Sequence, residues 1–324
     1  MNHLIDPKTT ENALEPITDP GFDCASFFSM HKTPFTLAPK KENIYQHRNY
    51  LHVKNTLLFG ISSGEKILQV TGNIGAGKTL LVNDVLSSID HHHYPIRILN
   101  PRISPKDLLS QIIDEFGRPY PIDATIEQLM RLLRFTLHEH YTKTEANILV
   151  WIDDAHFLSN NTLLIIEKIS SWTTPNRALL QFVLSGSNEL DERLNHRLLL
   201  SLKNNIRFSD KLHAINKDEI ADYVESCIQS DEKYEKPFFT PKALSCLHKL
   251  SNGNPSSINK MAYKALLIAY GEGFRKITHH YIKMAFKEHH TVTKSSFVEK
   301  WKVGIASWMC VNVVLAIAFF GGYL

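Results

Sequence analysis

Apolar positions along this chain follow two rhythms. Short, largely apolar runs stand at residues 67–71, 96–99, 147–152 and 179–185, with a weaker one at 206–208. Runs of this length between turn-forming residues predict strands buried on both faces, the kind parallel sheets contain. Between them apolar residues recur every three or four positions, which predicts helices. These fall over 50–62, with Leu51, Leu57, Leu58 and Ile61 on one face, and over 80–86, 104–116, 126–140 and 162–172. Ser104-Pro105 supplies a cap with proline at the first helical position, and Gly117 supplies a stop. Strand alternating with helix predicts an α/β fold, a mostly parallel sheet with helices on both faces.

Strand signals end near residue 209. Asn216 with Glu219 predicts a capping-box start for a helix reaching 228. Thr240-Pro241 opens another, ending near Ser251 ahead of Gly253. Pro255 begins a third, with Ile258, Met261, Ala262, Ala265, Leu266 and Ala269 on one face and Gly271 as its end. Thr278 caps a last helix that reaches about residue 289. A small all-α lid domain over 209–290 follows from this. At the other end, residues 1–25 read as a mobile tail. Phe27-Phe28, Pro34-Phe35, Pro39 and Tyr45 lack periodicity and predict an arm packed on a larger domain, so the first domain is placed at 26–208.

The stretch Gly72-Asn73-Ile74-Gly75-Ala76-Gly77-Lys78-Thr79, followed by Leu80, stands between the first strand and its helix. It has the form G-x-x-x-x-G-K-T. Glycines there let backbone N–H groups turn inward onto phosphates, and the helix N-terminus adds partial positive charge. Lys78 is the candidate for the β- and γ-phosphates, and the Thr79 hydroxyl for Mg²⁺. The run 147–152 ends in Asp153-Asp154. Parallel strands bind ligands at their C-terminal ends, so Asp153 is the candidate for Mg²⁺ through its water shell and Asp154 for orienting the attacking water. The run 179–185 ends in Ser185-Gly186-Ser187. Ser185 or Ser187 could sense the γ-phosphate, or the segment could be a plain turn.

With 324 residues, 43% of them apolar, the chain can form one or two domains plus appendages. A formal net charge of +3 gives no argument for nucleic acid. Cys24, Cys227, Cys246 and Cys310 are scattered, which fits a reducing compartment and excludes a zinc ribbon or disulfide framework. The run His91-His92-His93 falls between a helix and a strand, and a solvated loop is the preferred reading over a metal site; His279-His280 and His289-His290 read the same way. Residues 303–324 carry no charge. As a helix they would span ~33 Å against a hydrocarbon core of ~30 Å. Lys294, Lys300 and Lys302 precede them in a short basic linker over 291–302. The positive-inside rule then keeps the N-terminal bulk in the cytoplasm. Asn312 could hydrogen-bond a neighbouring span.

Several of these segments recur together in one family. Phe27-Phe28, Pro34-Phe35, Tyr45, Gly72 to Thr79, Asn100-Pro101-Arg102-Ile103-Ser104-Pro105 and Ile152-Asp153-Asp154-Ala155-His156 come in that order. Leu180-Gln181-Phe182-Val183-Leu184, Glu189-Leu190 and Gly253-Asn254-Pro255 with Ile258-Asn259 follow. Over about 26–288 the chain resembles the ExeA/GspA/MshM group of AAA+ ATPases, which assist type II secretion and mannose-sensitive pilus assembly. The resemblance implies a P-loop NTPase of the ASCE branch, ATP and Mg²⁺ as cofactors, a homo-oligomer, envelope-assembly partners, and a single-pass location in the bacterial inner membrane. ExeA-like members continue into a periplasmic peptidoglycan-binding part, which is expected to be missing after Leu324 or supplied by another chain.

Three positions depart from the family pattern. Asp154 stands where Glu is usual, Asn205 where a candidate arginine finger lies, and Ser256 where a sensor-type arginine follows the Gly-x-Pro turn. Arg197, Lys203, Arg207 or Lys260 could substitute. A carboxylate displaced by ~1 Å can cost on the order of a hundredfold in rate, and a finger is worth ~10³–10⁵. The expectation is therefore a membrane-anchored ATPase with slow turnover. The alternatives are a nucleotide-binding scaffold with little or no hydrolysis, and a DNA transposition ATPase of the TniB type. The near-neutral charge and the uncharged C-terminal segment argue against the last.

Overall fold

Five parallel strands make one sheet: β1 (Ile67–Gly72), β2 (His93–Ile98), β3 (Asn147–Ile152), β4 (Leu180–Gly186) and β5 (Phe208–Leu212), in the order β2-β3-β4-β1-β5. The computed structural model describes residues 20–30, 33–36, 44–90, 92–174, 178–228 and 238–288. β3 and β4 are buried along their whole length, as their continuous apolar sequences require. β2 lies at an edge, and that is why it accommodates Pro95, which has no N–H to donate. At the other edge, the Asn49 side-chain amide donates to Lys211 O (3.1 Å) and accepts from the His213 N–H (2.7 Å). A neighbouring strand would use the same pattern, so this amide covers an exposed strand edge.

One face of the sheet carries α4 (Pro105–Asp114), α5 (Ile126–Thr144) and α6 (Asn160–Ser170). Ile96, Ile98, Ile148, Val150, Ile152 and Phe182 point into them. The opposite face carries α2 (Arg48–Ser62) and α3 (Lys78–Leu86), packed on Leu68, Val70, Leu149, Trp151 and Val183. Strand alternation thus feeds two cores from one set of strands. Side-chain caps set the helix starts. Ser104 with Asp107 and Thr125 with Gln128 form capping boxes, and Ser159 caps α6, which starts at Asn160, two residues before the expected start. The last strand begins at Phe208 rather than 206, because Ile206 N–H still bonds back to Lys203 O at the end of the short helix α8 (Leu200–Asn204), which follows α7 (Asn188–Leu194). His93 is the first residue of β2, held by Asp90 at 2.6 Å, rather than part of a solvated loop.

The second domain holds α9 (Ile220–Cys227), α10 (Pro241–Ser251), α11 (Pro255–Gly271) and a helical stretch over 279–288. It is not purely helical. A two-residue parallel ribbon joins β6 (Phe238–Phe239) to β7 (Lys276–Ile277), too short to leave a sequence signal. Glu219 reaches back to the Asn216 N–H (3.3 Å) as in a capping box, but residues 217–219 form a turn and the helix starts at Ile220. Its other oxygen accepts the Arg48 N–H (3.1 Å) and ties α2 to this domain.

The arm that the sequence assigns to the first domain lies in the core of the second. Cys24 of α1 (Pro20–Phe27) and Phe28, Met30 and Phe35 beyond it are buried there, and α1 packs on α11. Phe27 meets Tyr270 edge-on at 5.2 Å, Phe35 meets Phe239 at 6.2 Å, and Tyr45 meets Tyr223 at 5.7 Å. These aromatics lacked a helical period because each fills a separate gap between lid helices. The tail expected over 1–25 is cut short at residue 20, where α1 begins and carries Cys24 and Ala25 into the lid core, while residues 1–19, the linker and the uncharged segment over 303–324 lie outside the described residues. Among the described residues no helix is long and apolar enough to cross a membrane, and no group of three metal-ligating side chains gathers.

Phe28 is fully buried in the lid core. Phe28→Ala is expected to cost about 3–5 kcal/mol by lost burial and cavity formation. Limited proteolysis should then cut within 220–285 before the sheet opens. Cleavage that begins in β3 or β4 would contradict this placement of the arm.

Candidate functional site

β1 ends at Gly72, where a Cβ would lie 2.7 Å from Leu212 O on β5, so only glycine lets the two strands stay paired up to the turn. The chain then needs left-handed backbone at Gly75 (φ 80°) and Gly77 (φ 100°), and Gly77 leads straight into α3. The first turn of α3 presents Lys78 and Thr79 at the C-terminal edge of the sheet. Lys78 is buried, and its ammonium donates to Gly72 O (3.0 Å) and Asn73 O (3.1 Å). Burial pushes its pKa down, while the Asp154 and Asp153 carboxylates push it back up.

The two acids after β3 diverge. Asp153 accepts the Thr79 hydroxyl on Oδ2 at 2.8 Å, and on Oδ1 it accepts the Ser185 hydroxyl (2.6 Å) and the Asp154 N–H (3.0 Å). Asp154 adopts left-handed backbone (φ 50°, ψ 37°), and its carboxylate is half-exposed. It lies 3.9 Å from Nδ1 of His156. That ring is buried, and its Nδ1 accepts the Ser187 N–H (3.3 Å). Arg193 holds the His156 carbonyl and reaches Asn160 Oδ1 at 2.9 Å.

The loop is fixed from two further directions. Asn188 Nδ2 donates to Asn73 Oδ1 at 2.8 Å. From the lid, Asn254 Nδ2 donates to Ile74 O (2.8 Å) and the Ser256 N–H to Gly75 O (3.2 Å). A Cβ on Gly75 would lie 2.7 Å from the Ser256 Cβ, so the lid seats directly on the loop backbone.

Residues 72 to 80 therefore form one loop and helix start. Ile74 is exposed at its tip and Ala76 is buried under α2. Thr79 and Asp153, proposed apart in sequence as Mg²⁺ residues, meet directly. A hydroxyl and a carboxylate are hard oxygen donors that suit Mg²⁺ with most of its water retained. Ser185 is fully buried behind Asp153. The Ser187 hydroxyl is buried with no hydrogen-bond partner among the described residues. Ser256 lies in the first turn of α11 against the loop, and Asn205 lies exposed after α8. Arg207 pairs with Glu65 at 3.3 Å, and Lys203 reaches Asn195. Asn188 and Asn254 had no sequence signal for these contacts, because each bonds a residue on another element.

Residues 61–194 match the model of a family described as an AAA domain. The chain is also 32% identical over 262 residues to General secretion pathway protein A of Aeromonas hydrophila, a match covering 81% of this chain. The chain belongs to the GspA-like AAA ATPases. It spans about half of that relative's length, 48%. Among solved structures, the GspA-like chain is similar to Cdc6p of Pyrobaculum aerophilum: 17% identity, TM-score 0.56, covering 82% of this chain and 70% of the other. It is also similar to the Aeropyrum pernix ORC2 protein in its ADPNP–ADP complexes: 14% identity, TM-score 0.53, 75% and 68%. At these identities the likeness establishes a shared fold.

In this GspA-like chain, His47 stands at the start of α2, where arm, lid and first domain meet. It is buried, its ring is 6.0 Å from Tyr50, and its Nδ1 has no hydrogen-bond partner among the described residues. Burial holds its pKa below the ordinary 6.5, with Glu219 opposing. Above that value both folded and unfolded chains carry neutral His47. As pH falls through it, the unfolded chain takes the proton first, so this contribution to stability is lost on acidification. The thermal midpoint is expected to drop between about pH 7.5 and about pH 5.5, and His47→Asn should reduce that drop. An unchanged pH slope in the variant would contradict the assignment.

Proposed function

We propose that this chain binds Mg·ATP at the C-terminal ends of β1 and β3 and hydrolyses it slowly. Nucleotide state would then control how a protein anchored in the bacterial inner membrane docks on, or assembles, an envelope machine. The Thr79–Asp153 hydrogen bond carries this reading, because it joins both Mg²⁺ candidates beside Lys78. The loop N–H groups and the Lys78 ammonium would hold the β- and γ-phosphates. Mg²⁺ would neutralise charge on the phosphate oxygens. Asp154 would orient a water molecule whose oxygen attacks the γ-phosphorus. The bond to the bridging oxygen breaks, ADP leaves with the electron pair, and the water proton passes by way of Asp154 to solvent. Asn254 and the Ser256 N–H, bonded to the loop carbonyls, would carry the loop's state to the lid.

The secretion role draws on the relative's name, and the membrane anchor on the uncharged segment over 303–324. Self-association is part of the same reading, and a cation reaching the γ-phosphate from a second copy would have to be a residue other than Asn205, which carries no charge in any copy. A nucleotide-binding scaffold is the second reading. It is favoured by the short Asp154 side chain together with Asn205 and Ser256, three departures from the family's hydrolytic groups that leave the sequence of the binding loop intact.

Full-length protein in detergent micelles should bind ATP in calorimetric titration. Lys78→Ala should weaken that binding on the order of tenfold or more and abolish any turnover. Asp154→Glu should raise turnover on the order of tenfold or more by restoring carboxylate reach. Wild-type protein that binds no ATP would refute the reading. Binding without turnover, with activity appearing in Asp154→Glu, selects the scaffold.

A further inference from the structure

Behind Asp153 lies a line of hydrogen bonds that ends on a buried indole. Trp151 is the penultimate residue of β3, and Asp153 follows the strand two residues on. The register Trp151 beside Val183 and Ile152 beside Leu184 brings Ser185 of β4 alongside them. Trp151 Nε1 is 3.1 Å from Ser185 Oγ, and Ser185 Oγ is 2.6 Å from Asp153 Oδ1. We propose that Trp151 and Ser185 are positioning residues that fix which oxygen of Asp153 faces the divalent cation. This inference rests on the Mg·nucleotide reading above.

The direction of the relay follows from donor and acceptor capacity. An indole N–H can only donate, and a serine hydroxyl has one proton and two lone pairs. Ser185 therefore accepts from Trp151 and must send its proton elsewhere. Two acceptors lie in reach, Asp153 Oδ1 at 2.6 Å and Ile152 O at 3.3 Å. The shorter distance is that of a hydroxyl on a carboxylate, and the longer one is at the margin of a hydrogen bond. Oδ1 of Asp153 then holds two donors, the Ser185 hydroxyl and the Asp154 N–H. Oδ2 is left toward Thr79 and the loop.

Satisfying a buried indole needs only one acceptor, which a backbone carbonyl can supply. What the relay adds is the orientation of a carboxylate at the site. The Trp151 ring shares its apolar cluster with Leu81 and Val82 of α3, the helix that carries Lys78 and Thr79. Packing of that helix and aim of the carboxylate therefore meet on one side chain. Ser185 is wholly buried, so its hydroxyl cannot turn to a γ-phosphate without releasing Asp153.

The test uses full-length protein and ADP, which avoids turnover, with calorimetric titrations across Mg²⁺ concentrations and in EDTA. Trp151→Phe keeps the ring and removes the N–H; Ser185→Ala removes the hydroxyl. Each should raise the Mg²⁺ concentration for half-maximal ADP binding on the order of tenfold, the usual cost of losing an outer partner of a metal ligand. ADP affinity in EDTA should stay within about twofold of wild type. The double variant should be no worse than Ser185→Ala alone, because Trp151 acts only through Ser185. Should Trp151→Phe fail to fold, Ser185→Ala still decides by its Mg²⁺ dependence. Wild-type Mg²⁺ dependence in both single variants, or multiplied losses in the double variant, overturns the relay alone. A wild type that binds no ADP overturns the nucleotide reading and the relay with it.

Discussion

The Asp153 carboxylate ties together three parts of the chain that are remote in sequence: the helix start after β1, the end of β3 and the end of β4. β4 lies between β3 and β1, so the strands bearing Asp153 and the loop are two spacings apart, ~9.6 Å. The first turn of α3 must cross the end of β4 for Thr79 to reach Asp153. Ser185, at the end of β4, bonds the same carboxylate on its other oxygen. The parallel order of the strands sets all of this, since it places every C-terminal end on one side. A strand slipped by one residue would turn Trp151 and Asp153 to the opposite face and break the whole arrangement.

The second domain is joined to this point through backbone rather than side-chain charge. Its contacts are to Ile74 O and Gly75 O, two carbonyls of the loop itself. On the nucleotide reading, phosphate would be held by N–H groups of the same loop, so loop and lid would respond to one event. The arm extends the connection: its aromatics lie in the lid core, and the chain then enters α2, whose first N–H bonds Glu219. Ser256 and Asn205 stand where the family resemblance would lead one to expect arginine. The lid therefore meets the loop by close steric fit, with Gly75 allowing it.

Much of this was legible in the sequence, and the parts that were not share a cause. The loop from Gly72 to Leu80 and the run ending in Asp153-Asp154 are continuous in sequence, so residue type and spacing identify them. The buried strands were equally plain, because a sheet covered on both faces demands unbroken apolar runs. Ser185 was singled out as a possible phosphate sensor, and its bond to Asp153 depends on Trp151, a donor whose partner only the strand register supplies. The arm was recognised as an arm, but its aromatics carry no mark of which domain they fill. Asn254 stood out only as part of the Gly253-Asn254-Pro255 motif; it caps α11, and its second role on Ile74 O is a contact across 180 residues. The two-residue strands β6 and β7 are too short for any pattern.

Hydrogen exchange measured with and without Mg·ATP addresses the central claim, that the loop and the lid close as one unit around a magnesium nucleotide. The account predicts slowed exchange in residues 72–82 and, together with it, in residues 254–258, where the Ser256 N–H bonds Gly75 O. Both changes should shrink when EDTA replaces Mg²⁺. Exchange left unchanged in both segments, or slowed in the loop while the first turn of α11 stays as before, would contradict it.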